Sequence, residues 1–251
     1  MGIGKVFKDD NTAPINSMDF CGDGTLLITA SDDESIHLYN INSGDSQKQL
    51  YSKKYGVDLI RFTHHNDAII CASKNQWDES LRYLSLHDNR YLRYFKGHRN
   101  KVVSLSMSPV NDTFMSGSLD DTIRLWDLRT NVCQGIIRRN GRPSLSYDPE
   151  GIILATAVSG NSIKLYDVRN FDKGPFSNFI VHHPQPVEWT GMKFSNDDGS
   201  VHVWRTLTGE EIAVWGGHHS KVGCVQWNPK LMMAASACST LSFWIPSINE
   251  S

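Results

Sequence analysis

The sequence predicts an all-β chain folded as a β-propeller, and three observations carry that reading. A five-residue phrase returns six times: small hydroxyl, aliphatic, any residue, apolar, then an aromatic or Leu. Its copies are Ser35-Ile36-His37-Leu38-Tyr39, Ser80-Leu81-Arg82-Tyr83-Leu84, Thr122-Ile123-Arg124-Leu125-Trp126, Ser162-Ile163-Lys164-Leu165-Tyr166, Ser200-Val201-His202-Val203-Trp204 and Thr240-Leu241-Ser242-Phe243-Trp244. Their last residues fall at 39, 84, 126, 166, 204 and 244, so the spacings are 45, 42, 40, 38 and 40. A period near forty suits one four-stranded blade. Six such repeats use up nearly all of the 251 residues, which predicts one domain over 1–251.

The repeats lie near residues 12–50, 51–95, 96–139, 140–182, 183–215 and 216–251. The third is the cleanest. Gly97-His98 opens it, and Val102 to Met107 reads as a strand ended by Ser108-Pro109 and Val110-Asn111-Asp112. Thr113 to Ser118 is a second strand, Leu119-Asp120-Asp121 a tight turn, Thr122 to Trp126 a third strand and Cys133 to Arg138 a fourth. Short strands punctuated by Pro, Asn, Asp and Gly are the expected signal. Apolar runs replace strict alternation, as expected where both faces of an inner strand are covered by neighbouring blades.

The distance from the first-strand aromatic or Met to the end of the phrase tests each repeat. It is 19 for Phe20 to Tyr39, 22 for Phe62 to Leu84, 19 for Met107 to Trp126, 19 for Tyr147 to Tyr166 and 17 for Trp227 to Trp244. In the fifth repeat Phe194 to Trp204 is only 10. There Ser195-Asn196-Asp197-Asp198-Gly199 joins a first strand directly to a third, so about one strand and a turn are missing. At the other end of the chain, Gly4 to Lys8 is a candidate outer strand for the last blade, and that pairing would remove an exposed edge.

Composition excludes several function classes. A net charge of −2 does not favour a polyanion, so no direct nucleic-acid contact is expected. The five cysteines are scattered without CxxC pairing, which suits a reducing compartment. No apolar signal core or membrane-length apolar run occurs, so neither secretion nor a membrane is expected. No GxSxG, HExxH or phosphate-cradling glycine loop is present, and the reading is of a non-enzyme without cofactors. The pairs His64-His65, His182-His183 and His218-His219 offer one ligand each to any site, because adjacent strand residues face opposite ways, and no metal is expected.

Basic residues gather in the links from each outer strand to the next inner strand: Lys53, Lys54, Arg99, Lys101, Arg138, Arg139 and Arg142. In a propeller these links open on one face. Guanidinium and ammonium groups there can grip phosphoserine oxygens, which makes this rim the candidate phosphopeptide or partner site. Solvated loop charges are the plainer alternative.

Gly97-His98, Ser116-Gly117-Ser118, Asp120 and Trp126-Asp127 resemble a WD repeat. That resemblance implies a buried relay of His98, Ser116, Ser118, Asp120 and Trp126, with His218 and Trp244 in the last repeat. The turn Asp recurs as Asp33, Asp78, Asp120 and Asp198, and is replaced by Gly160 and Cys238 in the fourth and sixth repeats. More specific segments run from Tyr51 to Arg61, Arg82 to Arg90, Leu105 to Pro109, Phe171 to Phe176, Trp189 to Asp197 and Phe243 to Pro246. Together they resemble the WD-repeat subunit of Set1-type histone H3 lysine methyltransferase (COMPASS) complexes. Members of that family look seven-bladed, so this chain reads as a shortened form, departing at Asn196 to Gly199 and at its N-terminus.

The resemblance implies a nuclear, non-catalytic adaptor in a histone H3 lysine-4 methyltransferase complex. Its implied partners are the Set1-type methyltransferase and its other subunits, and the serine-phosphorylated C-terminal repeats of RNA polymerase II. A nuclear protein phosphatase-1 complex and mRNA 3′-end processing are further roles in the family. A substrate receptor for a ubiquitin ligase is the alternative that WD propellers in general suggest.

Overall fold

The computed structural model describes residues 2–7, 13–75, 78–148, 150–158, 162–180, 200–204, 211–216, 224–228, 231, 233–237 and 240–245. In chain order the strands are β1 (Gly2–Phe7), β2 (Ile15–Phe20), β3 (Leu26–Ser31), β4 (Ser35–Asn40), β5 (Asp45–Tyr51), β6 (Leu59–Phe62), β7 (Ala68–Ala72), β8 (Leu81–Ser85) and β9 (Arg90–Phe95). They continue as β10 (Val102–Met107), β11 (Thr113–Ser118), β12 (Thr122–Asp127), β13 (Cys133–Arg138), β14 (Pro143–Tyr147), β15 (Ile153–Val158), β16 (Ser162–Asp167) and β17 (Ser177–Ile180). The last are β18 (Ser200–Trp204), β19 (Glu211–Gly216), β20 (Cys224–Trp227), β21 (Ala234–Ala237) and β22 (Leu241–Ile245). Among the described residues five sheets have four strands, four of them consecutive antiparallel meanders and the fifth ordered β1-β22-β21-β20, and these are propeller blades. The four strands read in the third repeat appear at β10 to β13, with Asp127 added to the third.

Burial explains the mixed apolar pattern. The second strands β3, β7 and β11 are buried almost throughout, whereas β5, β9 and β13 alternate exposed and half-buried residues. An outer strand has one wet face; an inner strand has none.

The chain divides into two compact units. One comprises Met1–Asp58 with Lys193–Ser251. In it β2 to β5 form the first blade, and β1 pairs antiparallel with β22 to complete the sheet begun by β20 and β21. The N-terminal strand thus becomes the fourth strand of the last blade. The two blades share one core of Ile15, Met18, Phe20, Leu27, Tyr39, Leu241 and Phe243. Phe7 of β1 enters it, with its ring 4.7 Å from Tyr39 and 6.2 Å from Phe243. Polar cross-links accompany it: Gln226 Nε2 donates to Asp19 Oδ1 at 3.1 Å and Asn228 Nδ2 to the Gly24 carbonyl at 2.7 Å. β18 and β19 make a two-stranded sheet among the described residues. The expected first strand of that repeat and the junction Asn196 to Gly199 lie outside them.

The other unit, Leu59–Met192, carries three complete blades, β6–β9, β10–β13 and β14–β17. One apolar cluster joins its first two blades through Ile70, Leu81, Phe95, Val102, Phe114 and Trp126. A second joins the next pair through Met115, Ile123, Leu145, Leu154 and Tyr166. A 3-10 helix over Val168–Lys173 connects β16 to β17 and lays Phe171 against Gly135 of β13. A side chain at Gly135 would collide with that ring. Gly135→Ala is therefore expected to cost about 1–3 kcal/mol, as overpacking does. Gly22→Ala, where nothing lies within 4 Å of the added carbon, should leave stability unchanged. Chemical-denaturation midpoints of the two variants check the difference.

Candidate partner-binding site

The buried polar groups set the frame on which any binding surface is displayed. In the third blade Trp126 is 0% exposed, and its Nε1–H donates to Ser116 Oγ at 2.8 Å. Ser116 Oγ lies 2.7 Å from His98 Nε2, and His98 Nδ1 lies 3.0 Å from Asp120 Oδ2. With His98 neutral and protonated at Nδ1, every link is satisfied: indole to hydroxyl, hydroxyl to Nε2, and Nδ1–H to carboxylate. Asp120 also accepts from the Thr122 hydroxyl at 2.6 Å and from the backbone N–H groups of Arg99 and Thr122. Gly97 leaves room beside this relay, since a side chain there would displace the Arg124 guanidinium and press on the Trp126 ring.

Ser118 does not belong to the relay. Its hydroxyl donates to the Asn100 carbonyl at 2.7 Å and accepts from the Asp120 N–H, which pins the blade opening to the turn. Thr122, which the phrase contains but the relay reading omitted, supplies the hydroxyl that the carboxylate needs.

The other turn aspartates hold the same local geometry. Asp33 and Asp78 each accept from the N–H two residues on, at 3.0 Å, as Asp120 does. Their second partners differ. The first blade sets His37 Nε2 3.1 Å from Ser35 Oγ, whose hydroxyl donates to Asp33. The second blade buries the Arg82 guanidinium, which donates to Asp78 Oδ2 at 2.7 Å and to the Ser80 carbonyl, beneath Tyr91 and Tyr94. Both bases occupy the middle position of the repeated phrase. The signal was present as His37, Arg82, Arg124, Lys164 and His202, a base in five of six copies at a position that looks unconstrained. In the last blade Trp244 Nε1 donates to Ser236 Oγ at 2.6 Å. His218, Asp198, Gly160 and Cys238 lie outside the described residues.

The structure places the basic links as follows. Lys53 and Lys54 are exposed, with their ammonium groups 5.6 Å and 5.0 Å above the rings of Tyr51 and Tyr55. In the other unit, Ser104 Oγ accepts from Leu145 N at 2.9 Å and Ser106 Oγ from Tyr147 N at 3.3 Å. β10 and β14 therefore run side by side in one direction, and Lys101 and Arg142, each preceding its strand, open on the same end of their blades. Arg99, Arg138 and Arg142 are exposed. Arg139 turns inward, and its Nε and Nη2 donate to the Tyr166 hydroxyl at 2.9 and 2.6 Å. It is an internal contact rather than a free rim charge. Of the His pairs, His64 Nε2 lies 2.8 Å from the Asn111 carbonyl, and His182-His183 and His218-His219 lie outside the described residues.

Repeated four-stranded blades, one with a His–Ser–Trp relay and three with a turn carboxylate bonded to the N–H two residues on, define a WD-repeat propeller. The WD domain, G-beta repeat family matches residues 4–40 and 89–127. The chain is 43% identical to WD repeat-containing protein 82 of Drosophila melanogaster, over 99% of this chain and 95% of that protein. It is 41% identical to Set1 complex component swd2 of Schizosaccharomyces pombe, over 77% and 55% respectively. It is 35% identical to COMPASS component SWD2 of Saccharomyces cerevisiae, over 76% and 58%. The chain belongs to this family of WD-repeat proteins. The Drosophila alignment runs to 303 positions against the 251 residues present, so roughly one blade's worth of the relative has no counterpart here.

The relay titrates in one direction. Burial pushes the His98 pKa below its ordinary value, against the pull of Asp120. Burial also works against the Asp120 carboxylate, but the Thr122, Arg99 and His98 hydrogen bonds outweigh it and hold the pKa at about 2. The unfolded chain therefore binds more protons than the fold at both groups, and stability falls as pH falls below about 6.5. The His98 part is lost first and the Asp120 part below about pH 4. Denaturation measured from pH 7 to pH 3 should show His98→Gln flattening the upper part of that slope. Trp126→Ala removes both the buried ring and its donor and should cost about 3–5 kcal/mol at pH 7.

Proposed function

We propose that the chain is a non-catalytic subunit of a Set1/COMPASS-type histone H3 lysine-4 methyltransferase assembly, acting as a nuclear adaptor. The observation that carries this is 41% identity, over 77% of the chain, to a protein named as a Set1 complex component. The same direction is supported by 35% identity to a COMPASS component. The fold suits the role: inner strands are closed around packed cores, and chemistry-bearing side chains are spent on internal relays, which leaves exposed links for partners.

Within that reading, Lys53, Lys54, Arg99 and Lys101, with Arg138 and Arg142, are the groups that engage serine-phosphorylated RNA polymerase II C-terminal repeats. Charge-assisted hydrogen bonds from a guanidinium or ammonium to phosphate are short and strong.

Affinity-tagged chain purified from nuclei should bring down a Set1-type methyltransferase together with its histone H3 lysine-4 activity. Recovery of a phosphatase-1 assembly or a cullin adaptor in its place would overturn the assignment. For the rim, replacing Lys53, Lys54, Arg99 and Lys101 by Glu should abolish binding of a phosphoserine polymerase peptide and leave the melting point unchanged. Parent binding should weaken with added salt, since exposed charges are screened over about 8–10 Å at ordinary ionic strength. Binding by the reversed protein equal to that of the parent would remove the rim from consideration.

A further inference from the structure

The fourth blade keeps the base of the repeated phrase and has lost its acid. Strand register makes the comparison with the third blade direct. Thr156 pairs with Lys164 on β15 and β16, as Ser116 pairs with Arg124 on β11 and β12. Tyr166 stands where Trp126 stands, and Ser162 where Thr122 stands. Arg139 lies four residues before β14, as His98 lies four before β10. The position of Asp120 is Gly160, which has no side chain.

Beside these residues the fourth blade has a cavity of about 410 Å³. Arg138, Arg139, Asn140, Thr156, Ser162 and Lys164 line it, and no carboxylate does among the described residues. Arg139 is committed to the Tyr166 hydroxyl. Of the carboxylates nearby in sequence, Asp121 Oδ1 accepts from Gly141 N, beside Asn140, and Asp120 serves His98, Arg99 and Thr122. Arg138 at the mouth is exposed, Lys164 is half-buried, and Thr156 at the floor is buried.

Like charges gathered with no acid among the described lining residues repel one another, and an anion from outside would relieve that repulsion. The last blade supplies the contrast. There the turn Asp is replaced by Cys238, and the middle base is replaced as well, by the buried Ser242. Neither charge of the pair is present there. The fourth blade has one of the two, Lys164.

We propose that this cavity is a binding site for a phosphate-class oxyanion, held by Lys164 and Arg138 with the Ser162 hydroxyl and the Asn140 amide as donors. Point charge, guanidinium and hydroxyl donors converging on one polar space are what a tetrahedral oxyanion needs. The site deepens the rim reading and rests on it only for the source of the phosphate.

The test uses the full chain and two probes, inorganic phosphate and a phosphoserine polymerase-repeat peptide, with chloride matching ionic strength. Inorganic phosphate should raise the melting point of the parent and give a calorimetric binding isotherm. Lys164→Met and Arg138→Gln should each weaken it about tenfold, the cost of losing one charged hydrogen bond. Lys164→Met should melt no lower than the parent in phosphate-free buffer, because the unfilled site loses a repulsion. Arg138→Gln, at an exposed position, keeps the test open if the half-buried Lys164 change perturbs folding. Peptide binding that inorganic phosphate displaces and Lys164→Met weakens identifies the source as phosphoserine. Phosphate binding without peptide competition identifies free phosphate, and then the rim reading alone fails. No response to phosphate beyond that to chloride, or Lys164→Met binding like the parent, overturns the site, and the rim charges would stand or fall separately.

Discussion

A blade's inner strands are covered on both faces, and this one constraint governs the polar residues of the molecule. Each hydroxyl, imidazole or carboxylate placed there must find its partner inside, since an unpaired buried group costs on the order of 1–3 kcal/mol. The turn aspartate meets the requirement in the same way wherever it is described, by taking the N–H two residues on. That bond fixes the tight turn between the second and third strands, and at Glu34 and Asp121 the chain passes through a left-handed conformation to make it. What completes the carboxylate is left to each blade: an imidazole from the opening link in one, a guanidinium from the third strand in another. The requirement is common and the donor is not. Most repeats can therefore depart from the sequence signature without departing from the fold.

This separates what the sequence made legible from what it hid. The strands of the third repeat were legible because Ser108-Pro109, Asn111-Asp112 and Asp120-Asp121 punctuate them, and turn chemistry is a local signal. The pairing of β1 with β22 was legible from an unclaimed strand at one end of the chain and a blade lacking its fourth strand at the other. Ser118 was misread because Ser116 and Ser118 lie on one face of the same strand, and no local feature says which of two hydroxyls an imidazole will choose. Arg139 was read as a surface charge because its partner, Tyr166, is 27 positions away and carries no motif. The base in the middle of the phrase was passed over because it varies among His, Arg and Lys. Its regularity is one of charge rather than of residue.

The same scaffold can thus yield a structural contact or a binding site, depending on whether a charge is answered from within. Arg82 is 1% exposed and answered by Asp78, so it is a core residue despite its charge. Lys164 holds the corresponding place in a blade whose turn has no carboxylate. A lysine there has a cheap alternative in any apolar side chain, because the strand position only has to fill space against its neighbours. An ammonium group in its place adds charge to a site that already holds two guanidiniums, and folding alone gives no reason for it.

Closure by the N-terminal strand sets the order in which the unit containing it can form. β2 to β5 and β20 to β22 can each build from local hairpins, but β1 meets β22 only when residues more than two hundred apart come together. Loop closure of that length is an entropic cost that must be met before the contacts reward it, so this pairing belongs late in folding. The reward is concentrated in Phe7, which touches Tyr39 of one blade and Phe243 of the other. A strand whose apolar side chain lies in both blades makes their cores cooperative: losing β1 would uncover β22 and open the cluster shared with the first blade. The least local contact in this unit is therefore the one on which its two blades jointly depend.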